Sequence, residues 1–372
     1  MNSKKTMILF YLIAASSLYA QILNVSHIYP LFEKLILLED KKKGKVNIVH
    51  IGDSHIQPDY LTNAVRKPLQ QQFGDGGRGF IFPYTVNKQV ATRPYYFASN
   101  ATWQICRNNQ PYKCEPGTEF GLSGYGFSTK AEQFVFSVEA RENKDKFNTI
   151  KIVSPTASLY SFKNKYQLQE PFVSVYHQKN LISSISFLPT KKQALFSING
   201  LVVEKDAPGL IYHNIGAVGS MASDFNANPL FFEQLPLLTP DLVIISLGTN
   251  ESLNDVSVEK FIEQLELFIN NIRALCNNVP VLVTTPPISL LPDKKFNTYI
   301  LEYSKTLSKK ENIALWDLYS FLNGLIGEEK DLSAIKITSD DVHYTLEGYT
   351  NQGTAFANDF LNEYKNYKRS RK

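Results

Sequence analysis

The feature that most constrains this chain is an alternation of short β-branched runs with longer stretches whose apolar residues recur at helical spacing. His27 to Leu38 puts Leu31, Phe32, Leu35 and Ile36 on one helical face, and Val46 to Ile51 follows as a largely apolar strand. The pattern recurs downstream. Leu210 to Ile215, Asp241 to Leu247, Val279 to Thr285 and Ala314 to Asp317 read as strands, whereas Val256 to Cys276, Lys295 to Lys310 and Glu347 to Tyr367 read as helices. Strands this apolar are buried on both faces, and intervening helices supply the cover. The expected fold is therefore α/β, a doubly wound parallel sheet of five strands in flavodoxin-like order.

Between Lys88 and Lys205 the helical period disappears. Gln133 to Val138, Thr149 to Val153, Ser158 to Phe162, Phe172 to Tyr176 and Leu181 to Phe187 are short aromatic or β-branched runs separated by turn residues, the pattern of an all-β sandwich. The expected organisation is a first α/β part at 21–87, an inserted sandwich at 88–205 and a second α/β part at 206–368. Lys and Arg exceed Asp and Glu by 39 to 35, a formal charge of +4, too small a surplus to point to nucleic acid as a partner.

Residues 1–20 carry Lys4 and Lys5, an apolar run from Met7 to Ala15 and small residues up to Ala20, the layout of a cleaved secretory signal peptide. That run falls short of the about 20 residues a membrane-spanning helix needs, and the first cysteine is Cys106, far from the cleavage point. A periplasmic or secreted chain without a stable membrane anchor is expected. In such an oxidising compartment Cys106 and Cys114 are candidates to close a small loop, which spacing alone leaves open. Cys276 reads as a buried small hydrophobe, and Lys365 to Lys372 as a frayed, solvated basic terminus.

The chemistry-bearing residues gather at strand ends. The first strand delivers Gly52-Asp53-Ser54-His55 at its carboxyl end, where ligand crevices open in doubly wound sheets. Ser54 is placed there as a nucleophile, with its own amide aimed at the same crevice. Gly216-Ala217-Val218-Gly219-Ser220 follows a second strand and Gly248-Thr249-Asn250-Glu251 a third, offering backbone and carboxamide donors. Before the last helix, Asp340 precedes His343 by three positions, so the carboxylate can bend back onto one ring nitrogen while the other serves as base for Ser54.

These four segments, in this order, resemble the SGNH (GDSL-type) hydrolase superfamily, whose blocks carry Ser, Gly, Asn and His. The resemblance implies Ser54, Asp340 and His343 as the catalytic triad and Ser54, Gly219 and Asn250 as the oxyanion hole, with no cofactor and no metal. Gly219 is preferred because the family's glycine block reads Asn-x-Gly-x-x-Gly with the second glycine as donor; Gly216 is the fallback. His55 in place of the family's Leu, with the runs Ile56 to Thr62 and Phe73 to Phe80, looks like secreted peptidoglycan O-acetylesterases, which carry a sandwich similar to carbohydrate-binding modules between the serine and glycine blocks.

The resemblance thus implies a serine esterase acting on an acetylated cell-envelope glycan, peptidoglycan first among them. An O-acetyltransferase, or an esterase of acetylated xylan or exopolysaccharide, would use the same residues. A glycan-binding protein working through the aromatics of the sandwich is a reading from another class. A metallophosphoesterase built on Asp53, His55, Asp340 and His343 is set aside because the Asn250 block carries no histidine. Arg78 is a candidate contact for a substrate carboxylate and His55 for the substrate or a supporting role, while His213 reads as a core histidine.

Overall fold

Alternation within one strand sets the layers of the molecule. The computed structural model describes residues 22–83, 94–155, 160–161, 167–189, 194–291, 295–310 and 312–371; the expected signal peptide lies outside them. The central strand β2 (Lys45–Gly52) turns Val46 and Ile48 to one face, where helices Tyr29–Lys41, Tyr60–Phe73 and Leu346–Ser370 pack. It turns Val49 and Ile51 to the other, against helix Val258–Leu275 and the inserted β region. Full burial of each such side chain is worth about 1.5–3 kcal/mol.

Among the described residues, the sheet expected to have five strands has six. In addition to β2 it contains β1 (Ile22–Leu23), β3 (Gly209–Gly216), β4 (Leu242–Ser246), β5 (Val281–Thr284) and β6 (Ala314–Trp316), in the order β1-β6-β5-β4-β2-β3. Strands β2 to β6 run parallel, and β1 pairs antiparallel with β6, Ile22 opposite Trp316. A two-residue strand is too short to show any periodicity, which is why it escaped the sequence pattern.

Among the described residues the inserted region forms three antiparallel sheets, of five, four and three strands, rather than the two of a simple sandwich. Their shared interior is aromatic: Trp103 stacks on Phe127 with centroids 4.3 Å apart, and Phe134, Phe136 and Phe196 pack edgewise or tilted around them. These rings are core and not a sugar-stacking platform; among the described residues Tyr96 and Tyr112 are exposed. Strand Gly79–Ile81, upstream of 88, joins the five-stranded sheet beside Gly200–Glu204. The Phe80 amide donates to His213 Nδ1 in β3 at 3.1 Å, tying the insert to the parallel sheet. His213 is fully buried and pushed down to about 3 by desolvation, a neutral core histidine.

Cys106 and Cys114 are joined in a disulfide. Among the described residues no helix is long and apolar enough to cross a membrane. The basic ending is helical rather than frayed: the last helix reaches Ser370 because Lys368 pairs with Glu39 and Asp40, and Arg371 and Tyr367 reach Glu33.

Candidate active site

Register brings three loops to one level. Gly52 at the end of β2 lies opposite Gly216 of β3 on one side and Ser246 of β4 on the other. The loops that follow therefore leave the sheet together, at the switch point where β2 has neighbours from both directions. A side chain on Gly52 would lie 2.8 Å from the Ser246 carbonyl, so only glycine fits. After it the chain makes a single helical turn: the Ile56 and Gln57 amides donate to the Asp53 carbonyl, and the His55 amide donates to Asp53 Oδ1 at 2.9 Å. Ser54 rides on this turn, half-buried.

His343 Nε2 lies 2.8 Å from Ser54 Oγ, and His343 Nδ1 lies 2.7 Å from Asp340 Oδ2. Asp340 Oδ1 accepts from Thr338 Oγ1, the Val342 amide and the His343 amide. Desolvation acts upward on Asp340, but these bonds outweigh it and hold the carboxyl well below its ordinary range. The neighbouring Asp341 points its backbone elsewhere: its carbonyl accepts from the Leu290 amide and from Ser289 Oγ. The spacing of three residues thus selects Asp340 as the partner of the imidazole.

Asn250 Nδ2 lies 3.1 Å from the Ser220 carbonyl and 3.4 Å from Asp53 Oδ2, suspended between the serine turn and the glycine loop. Gly219 sits at φ 77°, and a side chain there would meet only Asn109, whereas one on Gly216 would overlap the Gln57 backbone. Gly216 is thus accounted for by packing against the serine turn, and Gly219 is not. Among the described residues neither the Ser54 nor the Gly219 amide donates to a protein acceptor.

Two expected substrate contacts are turned inward. His55 is buried, with Nδ1 3.0 Å from the Tyr349 hydroxyl and its ring 5.2 Å from that of His343. Burial, with the neighbouring His343 acting the same way, pushes it down to about 3, so it backs His343 as a neutral ring. Arg78 pairs with Asp59, as does Arg66 at 2.9 Å. Burial acts upward on Asp59, but the two guanidiniums hold it well below the usual carboxylate range. Asn214 completes this support, donating to the Ile56 carbonyl at 2.7 Å and to Asp59 at 3.1 Å, and so pins the far end of the serine turn. His343 is engaged with Ser54 and Asp340 with His343, and among the described residues no group of three His, Cys, Asp or Glu is arranged to hold a metal ion.

Sequence reasoning missed two buried carboxyls. Burial pushes Asp53 up to about 6. Glu251 is pushed up to about 7 by burial, with Asp53 acting in the same direction, while its Oε1 accepts from the Ala222 amide at 2.8 Å and so ties the asparagine block to the glycine loop. Its only sequence signal was an acidic residue directly after Asn250. The raised value means the folded state favours the protonated acid: stability is full below about 4.5 and lost as pH rises through about 7. Glu251→Gln, a neutral isostere, should remove that loss. Its melting temperature should gain on the wild type by about 2 °C or more between pH 5 and pH 8, and a difference independent of pH would contradict the shift.

A doubly wound sheet presenting a serine, a histidine and amide donors in one crevice belongs to a carboxylic ester hydrolase. Residues 201–350 match the model of the GDSL-like lipase/acylhydrolase family. That span holds Gly219, Asn250, Asp340 and His343, while Ser54 lies upstream of it, across the insert.

The fold is similar to that of a solved peptidoglycan O-acetylesterase at 19% identity and TM-score 0.74, over 91% of this chain and 96% of that one. An acetylxylan esterase from Geobacillus stearothermophilus matches at 20% identity over 42% of this chain and 73% of its own, with TM-score 0.33. A lipase/acylhydrolase from Enterococcus faecalis matches at 20% identity over 42% and 77%, also with TM-score 0.33. No curated protein sequence matches the chain.

Proposed function

We propose that the protein is a secreted serine esterase that removes O-acetyl groups from a cell-envelope glycan, most of all peptidoglycan, with Ser54, His343 and Asp340 as triad. The observation that carries this reading is the hydrogen-bonded chain Ser54 Oγ, His343, Asp340 beside two unspent amides at the carboxyl end of the sheet. His343 Nε2 takes the Ser54 proton as Oγ bonds to the acetyl carbon. The Ser54 and Gly219 amides receive the oxyanion, joined by Asn250 as its long contact to Asp53 gives way. Collapse breaks the bond to the sugar oxygen, which takes the proton from His343. Water, deprotonated by His343, then releases acetate and restores Ser54.

Two features favour a short acyl group on a bulky alcohol. The Asp340 and His343 side chains are 53% and 39% exposed, an open rim against which a polymer can lie. Behind the serine turn, the cavity lined in part by Asp53, His55 and Thr249 is about 20 Å³, the room of about one water, so a long acyl chain would find no space on that side. The glycan assignment draws on the likeness to the peptidoglycan O-acetylesterase, which extends over nearly the whole of both chains, insert included.

The test is acetate release by the protein lacking residues 1–20, from O-acetylated peptidoglycan and from acetylated xylan, alongside p-nitrophenyl esters of increasing length. Faster release from peptidoglycan and a preference for the acetyl ester are expected. Preference for xylan would move the substrate, and preference for long acyl chains would overturn the acetylesterase reading.

A further inference from the structure

The insert does more than accompany the hydrolase: one of its loops grips the glycine block. Ala217 to Ser220 form a β-turn closed by the Ser220 amide donating to the Ala217 carbonyl at 3.2 Å, with Gly219 at φ 77° in the third position, the mark of a type II turn. The central peptide of such a turn joins the Val218 carbonyl to the Gly219 amide, and because a trans peptide is planar the two point in opposite directions. Rotating that one plane converts type II into type I and carries the Gly219 N–H to the other side. Whichever group holds the Val218 carbonyl therefore sets where the Gly219 amide points.

Asn109, from the insert, donates Nδ2 to that carbonyl at 3.3 Å, and it is the sole neighbour a side chain on Gly219 would meet. The rest of the turn is held from the same region. The Val218 amide donates to the Tyr125 hydroxyl at 2.9 Å, and Ser220 Oγ donates to Asn108 Oδ1 at 3.1 Å. Asn108 Nδ2 and Asn109 Oδ1 are buried without a partner among the described residues, a burden that a merely structural loop would not be expected to keep. Both asparagines lie inside the ring closed by Cys106 and Cys114.

We propose that Asn109 is a positioning residue for the esterase reaction: by holding the Val218 carbonyl it keeps the turn in the form that aims the Gly219 amide at the oxyanion, and the disulfide ring keeps Asn109 in place. The inference rests on the proposed roles of Ser54 and Gly219. It also gives the insert a share in turnover, apart from any affinity for glycan.

Asn109→Ala and the double variant Cys106→Ser/Cys114→Ser are compared with wild type and Ser54→Ala on p-nitrophenyl acetate, with melting temperature and the affinity of an alkylboronic acid as a tetrahedral-intermediate mimic. For Asn109→Ala we expect kcat lower by about 10- to 100-fold, up to the loss of one oxyanion donor. KM should change less than twofold and boronate affinity should fall by the same factor as kcat/KM. The ring variant should fall in the same manner and less far. Asn109→Ala with kcat within twofold of wild type, or with a raised KM at unchanged kcat, overturns the inference while an inactive Ser54→Ala leaves the proposed function standing. A fully active Ser54→Ala overturns the function itself.

Discussion

Ser54→Ala is expected to lower turnover of p-nitrophenyl acetate by about 10⁴- to 10⁶-fold, the largest effect of any single substitution in this chain. The argument is one of chemistry and not of packing. His343 Nε2 faces Ser54 Oγ at 2.8 Å, and removing that oxygen leaves the base without the nucleophile it would deprotonate. The amide donors remain and can still polarise an ester carbonyl, so the residual rate should stay above that in water. The fold should not respond. Ser54 is half-buried on a turn whose bonds run from the Ile56, Gln57 and His55 amides to Asp53, none of them through the serine side chain. Melting temperature and circular dichroism should match the wild type. Turnover within tenfold of wild type would remove Ser54 from the mechanism.

What could be read beforehand follows from the range over which each interaction acts. Strands β2 to β6 were legible because a strand buried on both faces is apolar throughout, a local property. The helix Tyr60–Phe73 was not assigned: its buried positions Leu61, Val65, Leu69 and Phe73 recur every four residues, but Pro68 and three consecutive glutamines mask that stripe. The proposed triad could be picked out because Asp340 and His343 are near neighbours and the serine turn is a compact motif.

A supporting role for His55 was among the readings, but its partner Tyr349 was not legible, nor was the inward turn of Arg78, since both depend on residues coming to meet them across the fold or around a turn. Asn109 is the extreme case. It sits in a polar stretch that composition marks as ordinary loop, and its contact with Val218 joins positions 109 residues apart. Local pattern carries the fold and the candidate nucleophile; the support around them is written in long-range contacts that a single sequence does not display.

Asp340→Asn should reduce kcat by about 10³- to 10⁴-fold with KM little changed. Asp340 Oδ2 accepts from His343 Nδ1 at 2.7 Å, which fixes the tautomer that leaves Nε2 able to take a proton from Ser54. An asparagine can fill the same space and keep an oxygen for Thr338 and the 342–343 amides. If that oxygen stays on them, its NH₂ faces Nδ1, favouring the tautomer with Nε2 protonated and unable to act as base. The charge that stabilises the imidazolium is lost as well. The carboxylate is half-exposed, so water can partly replace it, and the loss should fall at or below the size known for a fully buried acid. Asp341→Asn is the matched control: Asp341 meets Leu290 and Ser289 through its backbone carbonyl, which the substitution leaves intact, so its kcat should stay within about twofold of wild type. Steady-state kinetics on the two variants decide between the carboxylates, and a larger loss for Asp341→Asn would transfer the role to it.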